Sequence, residues 1–530
     1  MLVDKSTRSL VVKVKQPELL VKQLPGRARI FEYEGTTLVQ VKHTMQTAKI
    51  LNNMGIEAPS PIRYYYDFLC PPGIDAPYDH QIDTSEFATL WRRCHILNGM
   101  GTGKTASVIW ASDYLMQQGL VTKVLIAAPL STLNKVWSRQ IFDFAMHRRA
   151  VVLHGSRERR LALLDADVDF YIINFEGLEV ISRELHKRKD INLYIVDEAA
   201  AYREAKNVRY EILSELTNPD RYPKRRLWLM TGTPTPNAPT DAWALAKLVD
   251  ASKVPPFFSA FRRQTMYQKN MFKWVPREGS HKTVFAALQP GIRFRKKDCI
   301  TLPPLTYESR EARLTKAQKS ALKDMRNEMV MEAASGVTIT AINAADKVIK
   351  LLQILCGAVK DPETDTYIPI DHKYRLDVLF EFIEQAEAKV IVVVPWKGII
   401  RVLAEEVAKR YTCDVVNGDV PLRQRDEIFT AFAMEEDPRV LLCHPKVMAH
   451  GLTLTEADTL IFYGPVRSNE QTLQVIERIN RPGQTRKMTI GRIGSDPLEW
   501  DAYKVIESRE MDQETMLDLY NREIKRVTRE

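Results

Sequence analysis

Short apolar runs bounded by charged or turn-forming residues recur along the chain. In the first half they are Cys94-His-Ile-Leu97, Lys123-Val-Leu-Ile-Ala-Ala128, Phe170-Tyr-Ile-Ile173, Leu193-Tyr-Ile-Val196 and Leu227-Trp-Leu-Met230. In the second half they are Lys389-Val-Ile-Val-Val-Val394, Val415-Val-Asn-Gly418, Arg439-Val-Leu-Leu-Cys443 and Thr459-Leu-Ile-Phe-Tyr463. Runs that are apolar throughout, rather than alternating, predict strands buried on both faces. Helical stretches separate them, so the pattern predicts an α/β chain whose parallel sheets are covered by helices, with ligands at the C-terminal ends of the strands.

Residues 1–62 read differently and predict a small α+β domain. Ser9 to Lys15 suggests a strand, Glu18 to Leu24 a helix, Ala28 to Tyr33 and Thr37 to Val41 a hairpin around Glu34-Gly35, and His43 to Asn53 a second helix. Gly55 and Pro59-Ser-Pro61 mark a linker. Lys13, Lys15, Lys22, Arg27 and Arg29 make this domain basic, which suits a DNA-binding or protein-binding accessory domain and equally a face packed on its neighbour. At the other end, residues 497–530 predict one or two amphipathic, charged helices packing back on the body.

Composition narrows the class. A length of 530 residues allows two or three domains, and 45% hydrophobic with 27% charged residues is ordinary for a globular protein. Six dispersed cysteines without a C-x-x-C pair argue against a zinc ribbon or disulfide framework and suit a reducing cytoplasm. No apolar run approaches membrane-spanning length, and the N-terminus has no signal-peptide core. The formal charge of +9 is compatible with a polyanionic partner without establishing one.

The most informative stretch is Asn98-Gly-Met-Gly-Thr-Gly-Lys-Thr105, set between a strand and a helix that runs from Lys104 to Gln118 and stops at Gly119. Backbone N–H groups of Gly99, Gly101, Thr102 and Gly103 can curl around a phosphate chain at the helix N-terminus. Lys104 would reach the terminal phosphates, and the Thr105 hydroxyl would ligate Mg²⁺. The strict Walker pattern has Gly where Asn98 stands. Upstream, Gln81 carries an amide able to read the adenine edge of ATP. The run Leu193 to Val196 ends in Asp197-Glu198; two carboxylates at the tip of a buried strand predict a metal-holding Asp197 and a water-activating Glu198. Thr231-Gly-Thr-Pro234 closes the next run and is either a γ-phosphate sensor or a simple helix cap.

With these pieces the chain resembles SWI/SNF-type DNA translocases of helicase superfamily 2, in a compact bacterial or phage-like form. The matching segments are Asn98–Thr105, Ala128-Pro-Leu-Ser-Thr132, Asp197-Glu198 and Thr231-Gly-Thr-Pro-Thr-Pro-Asn237 with Asp241-Ala-Trp243. Further matches are Arg293-Phe-Arg-Lys-Lys-Asp298 with Leu302-Pro-Pro304, Met448-Ala-His-Gly-Leu-Thr-Leu454, and Gln474-Val-Ile-Glu-Arg-Ile-Asn-Arg-Pro-Gly-Gln484. Two departures stand out: Ala200 replaces the family's His after Asp-Glu, and the 448–454 segment is shortened, with His450 and Thr453 at diverged positions.

The resemblance implies two RecA-like lobes in tandem: lobe 1 over 63–302 with a helical insertion at about 252–300, and lobe 2 over 303–496. ATP would sit between the lobes, with Gly451 also on the nucleotide. Arg478 and Arg481, three apart and so expected on one helix face, would act as arginine fingers. Ser131, Thr132, Asn174, Pro234 and Thr235 in lobe 1, and His444 with Lys446 in lobe 2, would contact a nucleic-acid backbone. The implied function is an ATP-dependent translocase on double-stranded or branched DNA, acting as a cytoplasmic monomer in fork remodelling, strand annealing, recombination or repair. The alternatives are an RNA-stimulated ATPase and a nucleotide switch acting on a partner. For residues 252–300 the residues themselves allow either a nucleic-acid-facing surface or a brace between lobes.

Overall fold

The computed structural model describes the chain apart from residues 25, 27, 237, 270–273, 335–340, 362–365, 449–452, 509–512 and 529–530. It divides into two compact units, Met1–Cys299 and Ile300–Glu530. All six cysteines are free thiols. Among the described residues no helix is long and apolar enough to cross a membrane.

The first unit opens with a four-stranded antiparallel sheet in the order β1 (Leu2–Asp4), β2 (Ser9–Lys13), β4 (Thr36–Lys42), β3 (Arg29–Tyr33). The helices Pro17–Gln23 and Met45–Asn53 cover it. Its inward positions alternate: Leu10 and Val12 on β2 meet Val39 and Val41 on β4, joined by Leu20, Ala48 and Leu51 from the helices. The hairpin turns at Glu34-Gly35, both with positive φ.

The larger sheet of this unit has seven strands, all parallel. They are β5 (Arg93–Ile96), β6 (Lys123–Ala128), β7 (Ala150–Leu153), β8 (Phe170–Asn174), β9 (Ile191–Val196), β10 (Arg226–Met230) and β13 (Gly291–Ile292), in the spatial order β13-β5-β10-β9-β6-β8-β7. Burial on both faces explains the unbroken apolar runs. Val124, Ile126 and Ala128 of β6 face one core with Ile172, Ile195 and Trp228, while Leu125 and Ala127 face the other with Tyr171, Tyr194 and Leu229.

In the segment 252–300 the helices Phe258–Thr265 and Ser280–Ala287 are joined through a hairpin of β11 (Met266–Gln268) and β12 (Trp274–Pro276). Gly291-Ile292 forms β13 beside β5, a strand too short to show any period in sequence. Met271, Phe272 and Lys273 of the Met271–Trp274 stretch lie outside the described residues.

The second unit has its own six-stranded parallel sheet. Its strands are β14 (Leu305–Glu311), β17 (Lys389–Val393), β18 (Cys413–Val416), β19 (Val440–Cys443), β20 (Ala457–Phe462) and β21 (Met488–Gly494), ordered β14-β21-β20-β17-β19-β18. A two-stranded ribbon, β15 (Ala358–Lys360) with β16 (Tyr367–Pro369), sits beside it. The C-terminal helices Pro497–Ser508 and Gln513–Val527 pack through Leu498, Met516 and Leu519 onto Leu322, Leu351 and Leu355 of the helices Lys316–Ala334 and Ala341–Leu355. A fully buried ion pair ties this end to the sheet. Arg375 donates to both oxygens of Glu499, at 2.8 and 3.1 Å, and to the carbonyls of Tyr463 and Ile493.

Candidate active site

The glycine-rich loop follows β5 and leads into the helix Lys104–Gln117, at the C-terminal edge of the first unit's parallel sheet. Gly101 and Gly103 both adopt left-handed φ, +74° and +76°, where an L side chain is strained. At Gly103 there is also no room, since a Cβ there would fall on the amide of Gln81. Gln81 itself bridges two elements: its Oε1 accepts from Tyr78 N at 3.0 Å, and its Nε2 lies 3.5 Å from the Thr102 carbonyl. His80, buried and stacked on Tyr78, meets the same carbonyl at 2.8 Å. Lys104 Nζ donates to the carbonyls of Asn98 and Gly99 at 2.8 and 3.0 Å, so the ammonium lies over the mouth of the loop.

Asn98, the departure from the strict Walker pattern, has a structural task. Its side chain is buried, donates to Thr84 Oγ1 at 2.7 Å and accepts from Phe294 N at 3.0 Å. Gly99 N in turn donates to the Phe294 carbonyl at 2.8 Å, and Leu97 N to the Ile292 carbonyl. The basic segment beginning at Arg293 therefore continues the sheet alongside the phosphate-binding loop. The Thr231-Gly-Thr turn after β10 approaches the loop as well: a Cβ at Gly232 would meet Met100 at 3.2 Å.

Asp197 and Glu198 terminate β9, which lies two strands from β5. Glu198 is one of three non-glycine residues with positive φ among those described, at +51°; this left-handed backbone turns the chain sharply after Asp197. Asp197 Oδ1 accepts from Glu198 N at 3.1 Å, and Oδ2 accepts from Trp137 Nε1 at 3.0 Å. Burial lifts the Asp197 carboxyl above the usual carboxylate range, against the pull of the Trp137 hydrogen bond and the Lys104 charge. Trp137 is the residue that sequence reasoning missed. It is fully buried in a six-residue π-turn, Leu133–Ser138, and nothing in a linear pattern announces an i→i+5 turn. Ala200, at the family's His position, is buried in the short turn after Glu198.

The two arginines correct one expectation. The helix Asn469–Ile476 ends before them, so Arg478 and Arg481 do not share a helix face but occupy the irregular turn that follows. Pro482 and Gly483, the latter at φ +99°, make a longer helix untenable. Arg478 Nε donates to the Gln474 carbonyl at 3.0 Å, and Arg481 donates to the Glu477 carbonyl and to Thr453 Oγ1 at 2.8 and 3.0 Å. The buried Gln484 holds this turn by donating its amide to the carbonyls of Thr455 and Ala457. Gly451, His450 and Asn237 lie outside the described residues.

The expected nucleic-acid contacts divide by exposure. Ser131 and Thr235 are half-exposed and Lys446 is exposed. Thr132, Asn174 and Pro234 are buried: the Thr132 hydroxyl donates to the Pro129 carbonyl, and Asn174 bridges Arg160 and Glu176. His444 donates from Nε2 to the Pro395 carbonyl at 3.1 Å and accepts Lys446 N at Nδ1, and burial lowers its pKa, so the ring is held neutral. As placed, the side chains of Thr132, Asn174 and His444 serve the protein's own backbone and neighbours.

Comparison with known proteins matches two family models, the SNF2-related domain over residues 65–364 and the helicase conserved C-terminal domain over 374–483. A protein of Acyrthosiphon pisum secondary endosymbiont phage 1 is 25% identical over 441 residues, covering 78% of this chain and 90% of its own length. The ISWI chromatin-remodelling complex ATPase of Saccharomyces cerevisiae is 24% identical over 75% of this chain, which spans only 36% of that protein. Among solved structures, the Sulfolobus solfataricus SWI2/SNF2 ATPase core in complex with dsDNA is 18% identical, covers 87% of this chain and 99% of its own, and has a TM-score of 0.39. The SNF2-related model takes in more than half of the chain, and the helicase C-terminal model takes in most of the second unit's sheet. The chain belongs to the SNF2-related family and is an ATP hydrolase with a two-sheet helicase core.

Proposed function

We propose that this ATP hydrolase is a translocase on double-stranded DNA. The observation that carries the reading is the joining of Lys104, Asp197 and Glu198 at one edge of a parallel sheet, with Thr231-Gly-Thr against the same loop. A loop, a charged lysine and two carboxylates so arranged suit phosphoryl transfer to water. Gln81, Gly99, Gly101, Thr102, Gly103, Lys104 and Thr105 bind the nucleotide, and Gly451 is assigned to it by resemblance. Glu198 orients and deprotonates the attacking water. Arg478 and Arg481 stabilise the charge that develops on the transferred group.

The hard oxygen donors of Thr105 and Asp197 fit Mg²⁺, which keeps several waters and otherwise binds phosphate oxygens. Bound there, the ion would neutralise phosphate charge. Trp137 and the Glu198 N–H fix the orientation of the Asp197 carboxylate for that purpose.

Ser131, Thr235 and Lys446 are the side chains best exposed to meet a phosphate backbone; Thr132, Pro234, Asn174 and His444 offer main chain or support. Fork remodelling or strand annealing is the task that a small basic domain ahead of such a motor suits. The test is steady-state ATP turnover without nucleic acid and with duplex, forked and single-stranded DNA and with RNA. Duplex stimulation supports the reading, and extra stimulation by forks supports remodelling. Stimulation by RNA alone, or by no nucleic acid, overturns it.

A further inference from the structure

The chain's formal charge of +9 equals the basic excess of one segment. Residues 251–299 hold eleven of the 76 lysines and arginines but only two of the 67 aspartates and glutamates, which leaves 65 of each sign in the rest of the chain. Among the described residues of this segment four large aromatics are exposed: Phe257 at 75%, Phe285 at 67%, and Phe258 and Tyr267 at 43% each.

Phe258 packs edge-on against the core residue Trp243, with ring centroids 5.7 Å apart, whereas Phe257 and Phe285 stand clear of the core. The helix Ser280–Ala287 turns Val284 and Ala287 into the first unit's core, and presents His281, Lys282 and Phe285 to solvent, the last two one helical turn apart. The helix Phe258–Thr265 buries Phe261 and Thr265 and presents Ser259, Arg263 and Gln264, with Phe257 at its N-cap. The two helices pack together, and Arg277 N donates to the Thr265 carbonyl at 2.9 Å, which puts the start of the second helix by the end of the first. Arg262 braces the pair from inside, over Trp274 at 4.3 Å.

We propose that this face, with Phe257, Phe285, Arg263 and Lys282 at its centre, binds unpaired DNA strand. A single strand offers a phosphate for each cation and a free π-face for each ring. In a duplex the base faces are already stacked, so the cations would be used and the rings wasted. The proposal rests on the DNA reading above and adds to it a second, strand-specific binding surface, remote from the glycine-rich loop in sequence.

The test measures equilibrium binding of fluorescent single-stranded, blunt duplex and forked oligonucleotides to the full chain, without nucleotide and over a range of salt. Phe257→Ala with Phe285→Ala is expected to weaken single-strand and fork binding about tenfold or more, and to leave blunt-duplex binding within about twofold. Arg263→Gln with Lys282→Gln is expected to flatten the salt dependence on single strand, by roughly 0.7 in slope for each phosphate no longer neutralised. Unchanged single-strand binding by the aromatic variant, or an equal weakening on blunt duplex, overturns the proposal. Duplex-stimulated ATP turnover of the unaltered chain reads the proposed function separately, so one can fail while the other stands.

Discussion

Trp137 donates its indole N–H to Asp197 across 3.0 Å, from a π-turn onto the carboxylate that closes β9. A hydrogen bond to a charged group contributes about 1.5–3 kcal/mol, and here it fixes which lone pairs of Asp197 remain for a metal. Trp137→Phe keeps the ring and removes the donor. Turnover at saturating ATP should fall roughly tenfold, with a rise in the magnesium concentration needed for half activity. Titrating Mg²⁺ in a steady-state assay checks this, and an unchanged magnesium requirement would refute the positioning role.

Lys104 and Glu198 should separate binding from chemistry. Glu198→Gln removes the base and is expected to cut turnover by about 10²–10⁴ while nucleotide affinity is retained. Lys104→Ala should lose both, because its ammonium lies at the mouth of the phosphate-binding loop. Fluorescent-nucleotide binding beside an ATPase assay distinguishes them; full turnover in either variant contradicts the assignment.

For the arginine turn, Arg478→Ala or Arg481→Ala should lower turnover by about 10³ or more. Gln484→Ala touches no nucleotide but frees the carbonyls of Thr455 and Ala457 that anchor the turn. It is expected to reduce turnover without abolishing it, and to leave nucleotide affinity unchanged. An effect on affinity alone would count against the turn as the charge-stabilising element.

The Arg375–Glu499 pair predicts a stability effect with no local chemistry. Glu499→Leu strands a buried guanidinium and should cost about 3–5 kcal/mol in the unfolding of the second unit, with much of this recovered in the Arg375→Leu, Glu499→Leu double variant. Urea unfolding followed by hydrogen exchange of peptides from Ile300–Glu530 reads this unit. Equal stability of the single variant and the parent would show that the pair is not a lock.

His95 introduces a pH dependence. Its ring is buried in β5, Nε2 facing the Leu245 carbonyl, and burial pushes its pKa down to about 4. The unfolded chain binds the proton near the ordinary value of about 6.5, so the folded state is favoured fully above that pH and loses ground as pH falls towards 4. The loss attributable to this ring approaches about 3 kcal/mol. His95→Gln should therefore show a shallower decline in urea midpoint between these pH values than the parent; parallel curves would rule His95 out as a source.

The parallel strands, the glycine-rich loop and the Asp197-Glu198 tip were legible because each has a local cause: unbroken burial, glycines at positive φ, or charges ending an apolar run. Three features were not. The Trp137 bond depends on a π-turn, an i→i+5 closure that leaves no periodic trace. β13 is only Gly291-Ile292, and exists because β5 offers it a free edge. The arginines looked helical because Asn469 onward is helical; the Pro482-Gly483 turn and the Gln484 amide, acting from downstream, end that helix early.

The pairing of Leu97 and Gly99 with Ile292 and Phe294 has an evolutionary consequence. Strand pairing tolerates no single-residue slip: one residue inserted between Pro290 and Phe294 would turn alternate side chains over and withdraw the N–H that Asn98 accepts. Homologues of this chain should vary freely in length around the β11–β12 hairpin, yet hold the spacing from Pro290 to Phe294 as strictly as the spacing of the loop glycines. Recombination breakpoints that preserve function should fall outside it.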